Sequence, residues 1–276
     1  MSASTPRALS ATALGTSAAF PGPNDACSGW LIQDQDTNLL VDCGTGVASN
    51  LQRFLAPEAL TAIIITHLHA DHFFDLVPLR YGYRYALEPK RGPVKLFLPP
   101  GGIEVIRQVV APLSGDTKGD FFGDVFEVSE YQPGRGLQIA GVSAEFVGTN
   151  HYVPCWAVSL SNGDTRVTYT ADTGPSAAVA ELARGSDLLI SEATYLSLDE
   201  ESPRQRGHLT AAEAGELAEY AGAGLTLLTH MWPHRDRSEA LRLARARYAG
   251  PMALAETGRH YEAGAASSGD PWRRYR

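Results

Sequence analysis

The sequence predicts a mixed α/β (α+β) domain in which two sheets stack and helices cover them. Three observations carry this. Strand-like and helix-like segments are interspersed along the chain without an internal repeat. Turn residues bound most of the apolar runs, as Asn162-Gly163-Asp164 does between two strands. With 276 residues, 44% hydrophobic and 20% charged, the chain can bury a large core. Sheets and amphipathic helices must bury their apolar faces against another layer, so stacked sheets with outer helices follow.

The elements are expected in this order. A first strand leads into the turn Gly15-Thr16-Ser17. Strands follow at Leu31–Ile32, Leu39–Val41 and Ala62–Thr66, with a helix at Val47–Phe54 before the last. The run Ala62-Ile63-Ile64-Ile65 is continuously apolar, as in a buried strand. Helix Asp71–Tyr85, strand Val94–Leu98 and helix Gly102–Ala111 come next. Strands Val125–Glu130, Leu137–Phe146, Ala157–Leu160 and Thr165–Thr170 then follow. The last part alternates helix Ser176–Ala183, strand Leu188–Ser191, helix Ala211–Ala221, strand Thr226–Thr229, helix Ser238–Tyr248 and strand Met252–Ala255. Thr210 with Glu213 three residues on forms a capping box that opens the Ala211 helix. Residues 9–262 read as one domain, residues 1–8 as a flexible N-terminus, and the Gly/Ala/Ser-rich residues 263–276 as a mobile tail.

Composition removes several function classes. The net charge of −8 argues against a broad electropositive nucleic-acid surface. Arg80, Arg84, Lys90, Arg91 and Lys95, interleaved with Tyr81, Tyr83 and Tyr85, remain as a local basic patch or a solvated face. Cys27, Cys43 and Cys155 are too few and too scattered for a disulfide framework or a thiolate zinc site, and read as buried thiols in a reducing compartment. No apolar run approaches the length of a membrane span, and the N-terminal stretch lacks the core of a secretory signal. The expected location is the cytoplasm.

Chemistry concentrates in Thr66-His67-Leu68-His69-Ala70-Asp71-His72. Three of the eight histidines crowd here beside an acid, directly after the apolar run. Imidazole nitrogen and carboxylate oxygen suit a borderline divalent metal such as zinc. Further ligands follow other strands: His151, Asp172 in Thr170-Ala171-Asp172-Thr173-Gly174, and His230 after Leu225-Thr226-Leu227-Leu228-Thr229. Seven ligands, with Asp172 able to bridge, suffice for two metal ions, which can activate a water and clamp both oxygens of a displacement.

The His-x-His-x-Asp-His pattern with its downstream His, Asp and His resembles the metallo-β-lactamase superfamily, over about Leu9 to Glu262. The resemblance implies a four-layer αββα sandwich. It implies His67, His69 and His151 on one metal, Asp71, His72 and His230 on the other, and Asp172 between them. Zinc is the expected metal, with manganese and iron also suited to nitrogen and oxygen ligands, and the resemblance favours a homodimer. Leu14-Gly15-Thr16-Ser17-Ala18-Ala19-Phe20-Pro21, Val41-Asp42-Cys43-Gly44-Thr45-Gly46, and Ser191-Glu192-Ala193-Thr194-Tyr195 with Gly207-His208-Leu209-Thr210 resemble the RNase Z-like branch. There the Glu and His pair helps protonate the leaving oxygen, which implies Glu192 and His208 as that pair and Asp71 as ligand and orienter of the nucleophile. The tRNA-processing members carry a long arm at the place of the short stretch between His151 and Asp172. Its lack here implies a small substrate.

The function expected is therefore a binuclear metal-dependent phosphodiesterase. Its expected mechanism is attack on phosphorus by a hydroxide held between the metals. Resemblance to an armless bacterial group adds 3′,5′-cyclic nucleotides as substrates. Backbone N–H groups around Gly15–Ser17 or Gly44–Gly46 are candidates for phosphate contact, unless these loops are simply tight turns. A tRNA 3′ endonuclease and a lactone, ester or β-lactam hydrolase are the alternatives.

Overall fold

The computed structural model describes residues 8–88, 92–114, 121–198 and 206–264. The expectations for the extreme N-terminus, for Lys90 and Arg91, and for the tail from residue 265 fall outside these residues.

Two seven-stranded sheets face each other. The first contains β1 (Ser10–Gly15), β2 (Gly29–Asp34), β3 (Thr37–Val41), β4 (Ala62–Ile64), β5 (Val94–Leu98) and β6 (Phe126–Glu130) side by side, with β14 (His260–Glu262) on the outer edge of β1. The second runs in the order β13 (Met252–Leu254), β12 (Leu225–Thr229), β11 (Leu188–Glu192), β10 (Arg166–Tyr169), β9 (Trp156–Ser161), β8 (Val142–Gly148) and β7 (Leu137–Ile139). In each sheet a block of parallel strands adjoins an antiparallel meander: β3 to β6 are parallel in the first, β10 to β13 in the second.

Strand alternation explains the four layers. Ala62 and Ile64 face the other sheet in one core, where Val158, Val167 and Ile190 meet them. Ile63 and Ile65 point the opposite way, against α1 (Val47–Leu51), α3 (Leu76–Tyr85) and α4 (Gly102–Ser114). On the far side Leu189 and Leu228 pack on α5 (Ala177–Ala183), α6 (Ala211–Ala221) and α7 (Arg237–Arg245). Each fully buried Leu or Ile contributes about 1.5–3 kcal/mol. A strand buried on both faces therefore reads as an unbroken apolar run.

The capping box is present, with Glu213 N–H donating to Thr210 Oγ1 and Glu213 Oε2 accepting from Thr210 N–H. The Asn162-Gly163-Asp164 turn joins β9 to β10, and Gly163 takes φ 91° there. Three expectations change. The segment Leu137–Phe146 is a hairpin, because Ala140 adopts φ 49° and turns the chain between β7 and β8. The helix expected over Asp71–Tyr85 is broken into α2 (Ala70–Phe73) and α3. At the break the Asp75 carboxylate turns away to accept from Gly46 N–H and Ala48 N–H at 2.9 Å each. Strand β14 lies where the domain was expected to be ending.

Candidate metal centre

The parallel blocks position the ligands. Asp42 and Thr66 lie just past the neighbouring carboxyl ends of β3 and β4. Asp172, Glu192 and His230 lie at or just past the neighbouring carboxyl ends of β10, β11 and β12. Carboxyl ends of parallel strands are where open sheets present functional groups. Here the two sheets present theirs to one another. His67, His69 at the N-cap of the short α2, and Asp71 and His72 within it come from the first sheet. His151 and the other ligands come from the second.

Every expected ligand is in one cluster. His67, His69, His151 and Asp172 form one group of potential ligand atoms, and Asp71, His72 and His230 another, each within 4.8 Å. Asp172 Oδ2 is central: it lies 3.6 Å from His67 Nε2, 3.4 Å from His72 Nε2, 3.8 Å from His151 Nε2 and 3.4 Å from His230 Nε2. Asp71 Oδ2 is 3.3 Å from His230 Nε2 and accepts from Ala19 N–H at 2.7 Å.

The outer hydrogen bonds set the ring protons. His72 Nδ1 donates to Asp42 Oδ2 at 2.7 Å, and His151 Nδ1 donates to Gly207 O at 2.8 Å. Thr66 Oγ1 gives its proton to Asp42 and so accepts from His67 Nδ1. Thr194 Oγ1 gives its proton to Glu192 Oε2 or His230 O and so accepts from His230 Nδ1. Each of these imidazoles thus turns an Nε2 lone pair inward, the arrangement that orients metal-bound histidines. His67 Nε2 and Asp172 Oδ1 are buried without a hydrogen-bond partner. Converging lone pairs and orphaned acceptors fit divalent cations and little else.

Electrostatics agree. Burial keeps His67, His69 and His151 below the ordinary histidine pKa, as neutral ligands must be. Burial opposes a charge on His72, but Asp172, Asp71 and Asp42 outweigh it and hold its pKa well up. Burial would likewise raise the Asp71 and Asp172 carboxyls, yet the surrounding histidines hold both below the usual range. The pocket demands positive charge at its centre.

Backbone strain concentrates in the same place. Asp42, Ala171 and His230, together with Ala19, adopt φ between 50° and 60°. For non-glycine residues such conformations cost about 1–3 kcal/mol each and mark functional sites.

Glu192 and His208 stand beside the ligands. His208 Nδ1 donates to Glu192 Oε1 at 3.1 Å, and the His208 ring stacks on that of His230 at 5.4 Å. Glu192 is fully buried and also accepts from Leu209 N–H and Thr194 Oγ1.

Two alternatives left open by the sequence are narrowed. Thr16 and Ser17 N–H donate to Ala26 O, Gly44 N–H to Ser28 O, and Gly46 N–H to Asp75. These donors are committed to the fold, which supports the tight-turn alternative for both loops. A Cβ on Gly44 would sit 1.9 Å from Asp71 O, so glycine there lets the ligand-bearing segment pack close. In the basic patch Arg80 is buried, paired with Asp124 and bonded to Phe121 O, while Lys95 is exposed.

Sequence reasoning missed Thr66 and Thr194 and gave Asp42 no role toward His72. An acid at the end of an apolar strand is the same signal that revealed Asp172. Asp42→Asn should weaken metal binding about 10–100-fold, the usual effect of an outer partner. Competition with a chelator checks this, and circular dichroism should show the fold intact.

Residues 37–231 match the family model of the beta-lactamase superfamily domain. The chain is 32% identical over 251 residues to the probable metallo-hydrolase YhfI of Bacillus subtilis (strain 168), covering 91% of this chain and 98% of that one. The chain belongs to the metallo-β-lactamase superfamily. The crystal structure of YhfI, a metallo-β-lactamase fold protein, matches it with TM-score 0.81 at 29% identity, over 93% of this chain and 99% of that one. Within the superfamily it is also 30% identical over 241 residues to ribonuclease Z of Mycobacterium sp. (strain KMS), covering 82% of this chain and 85% of that one. Human tRNase Z, short form, shares the fold with TM-score 0.72 at 22% identity, over 92% of this chain and 99% of that one. The protein is thus a metallo-hydrolase of the RNase Z-like branch. Between His151 and Asp172 the chain forms only β9, β10 and their turn, so the long arm is lacking. No helix among the described residues is long and apolar enough to cross a membrane.

Proposed function

We propose that this protein is a binuclear metal-dependent phosphodiesterase acting on small phosphodiesters, 3′,5′-cyclic nucleotides among them. His67, His69 and His151 would hold one ion and Asp71, His72 and His230 the other, with Asp172 shared. Zinc suits this nitrogen-rich set. Two divalent ions here supply a lowered pKa for water and compensation of charge on the phosphoryl oxygens.

The observation that carries the reading is the His208–Glu192 pair at the edge of the cluster. With Nδ1–H held by the carboxylate, His208 presents Nε2 as its other proton-carrying atom. Glu192 stabilises the imidazolium form and fixes the ring plane. A departing ribose oxygen requires such a proton. The pair resembles that of the RNase Z-like sequences, and this resemblance favours a phosphodiester over a β-lactam or lactone. Asp71, oriented by Ala19 N–H, holds the nucleophile's side of the pocket. The short β9–β10 connection supports a small substrate over tRNA. The buried thiols of Cys27, Cys43 and Cys155 support a reducing compartment, the cytoplasm.

One observation favours cleavage of tRNA 3′ ends instead, the 30% identity to the mycobacterial ribonuclease Z. Parallel assays with zinc-loaded protein separate the readings. Cyclic AMP and bis(p-nitrophenyl) phosphate should be hydrolysed, and a homoserine lactone and precursor tRNA should not. Turnover of the lactone alone, or of precursor tRNA faster than the small diesters, would sink the proposal.

A further inference from the structure

The mouth of the metal pocket has features that the hydrolytic machinery does not use. A cavity of about 360 Å3 opens above His69, Asp71, Asp172 and His230. Its remaining walls include Tyr152, Tyr195 and Trp232, and among the described residues its aliphatic lining is Ala18, Ala19 and Ala70. Among the described residues no leucine, isoleucine or valine lines it to receive an acyl or alkyl chain. Flat aromatic faces with polar edges are offered instead, and these suit a planar heteroaromatic group.

Trp232 is backed by two further rings. Phe20 lies 6.3 Å and His234 6.0 Å from its centroid, and Phe20 and His234 are 14° from parallel. Phe20 is 46% exposed, so its ring is open to solvent at the rim. The backbone beneath is fixed. Ala18 N–H donates to Met231 O at 3.0 Å, and Met231 N–H to Thr16 O at 3.2 Å. Asp25 ties Thr16 and Ser17 to Arg237. Gly22 lies against Pro233, where a Cβ would meet the proline ring at 2.9 Å. The same loop reaches the centre through Ala19 N–H on Asp71. The wall is therefore preorganised and its position is locked to a metal ligand, which lowers the ordering cost of binding.

We propose that Trp232, supported by Phe20 and His234, forms a nucleobase-binding wall that holds the base of a nucleotide while its phosphate occupies the metal centre. The proposal rests on the phosphodiesterase reading for its substrate class and names the residue that selects nucleosides within it. Trp232 is a specificity residue and takes no part in bond breaking.

Calorimetric titration of zinc-loaded protein with AMP and with ribose 5-phosphate tests it, because the two ligands share a phosphate and differ in the base. The wild type should bind AMP about tenfold more tightly or better, the range of stacking on one aromatic ring. In Trp232→Ala the two affinities should converge. Trp232→Phe, which keeps a flat ring, should retain most of the preference. Equal affinities in the wild type, or an undiminished preference in Trp232→Ala, would overturn the wall. So would a Trp232→Phe variant that has lost the preference as fully as the alanine one. Cyclic AMP hydrolysis is measured alongside. A base preference without hydrolysis keeps the wall and rejects the phosphodiesterase, whereas hydrolysis without a base preference does the reverse.

Discussion

Asp172→Ala is expected to release both metals and to lower turnover of bis(p-nitrophenyl) phosphate by more than about a hundredfold, beyond the usual effect of losing an outer-shell partner. Its Oδ2 lies 3.4–3.8 Å from four inward-facing histidine nitrogens, and its Oδ1 is buried without a partner. No other group replaces either oxygen. Without the carboxylate, Asp71 still faces His230 Nε2 at 3.3 Å and His72 Nε2 at 3.7 Å, but His67 and His151 lose the anion they face. Ions binding there would lose their shared ligand and the compensation of their charge. Elemental analysis after dialysis, beside kcat, is the measurement. Two metals retained per chain would contradict a shared role for Asp172.

His208→Ala is expected to separate substrates by leaving group. For cyclic AMP, whose ribose oxygen leaves as a poor anion, kcat should fall about 10²–10⁴-fold, the usual contribution of a positioned proton donor. For bis(p-nitrophenyl) phosphate the leaving phenolate needs no proton, and the loss should stay below about tenfold. Metal content should be unchanged, since His67, His69, His72, His151 and His230 supply the imidazoles. Equal losses on both substrates would argue against a leaving-group acid. Lost metal would instead make His208 a ligand, consistent with its distance of at most 4.8 Å from the Asp172 and His230 atoms.

The candidate ligands stood out in the sequence because they follow strands: His67, Asp172 and His230 come after parallel strands, and His151 after the antiparallel β8. The RNase Z-like resemblance was legible in Glu192 and His208, two residues that the fold joins through one hydrogen bond. What escaped notice depends on contacts between distant residues. Thr194 acts only because His230 folds over it, and Asp42 only because β3 lies beside β4. The break before α3 depends on Asp75 finding the Gly46 and Ala48 amides. The glycine loops were left open between two roles for the same reason. Flexibility is written in the residue type, but whether an amide is already occupied is decided by its neighbours. Strand β14 is short and lacks alternation, so no periodicity announces it.

That strand has a consequence for biosynthesis. β14 pairs antiparallel with β1, Ala11 opposite Tyr261, and Thr12 Oγ1 lies 3.1 Å from His260 Nδ1. Some 248 residues separate those two side chains. While the chain emerges from the ribosome, β1 and its partners can assemble, but one edge keeps its amides and carbonyls open until residues 260–262 have been made. Such an edge invites pairing with other chains. A nascent chain stalled before residue 260 should therefore aggregate or recruit chaperones more readily than the finished protein.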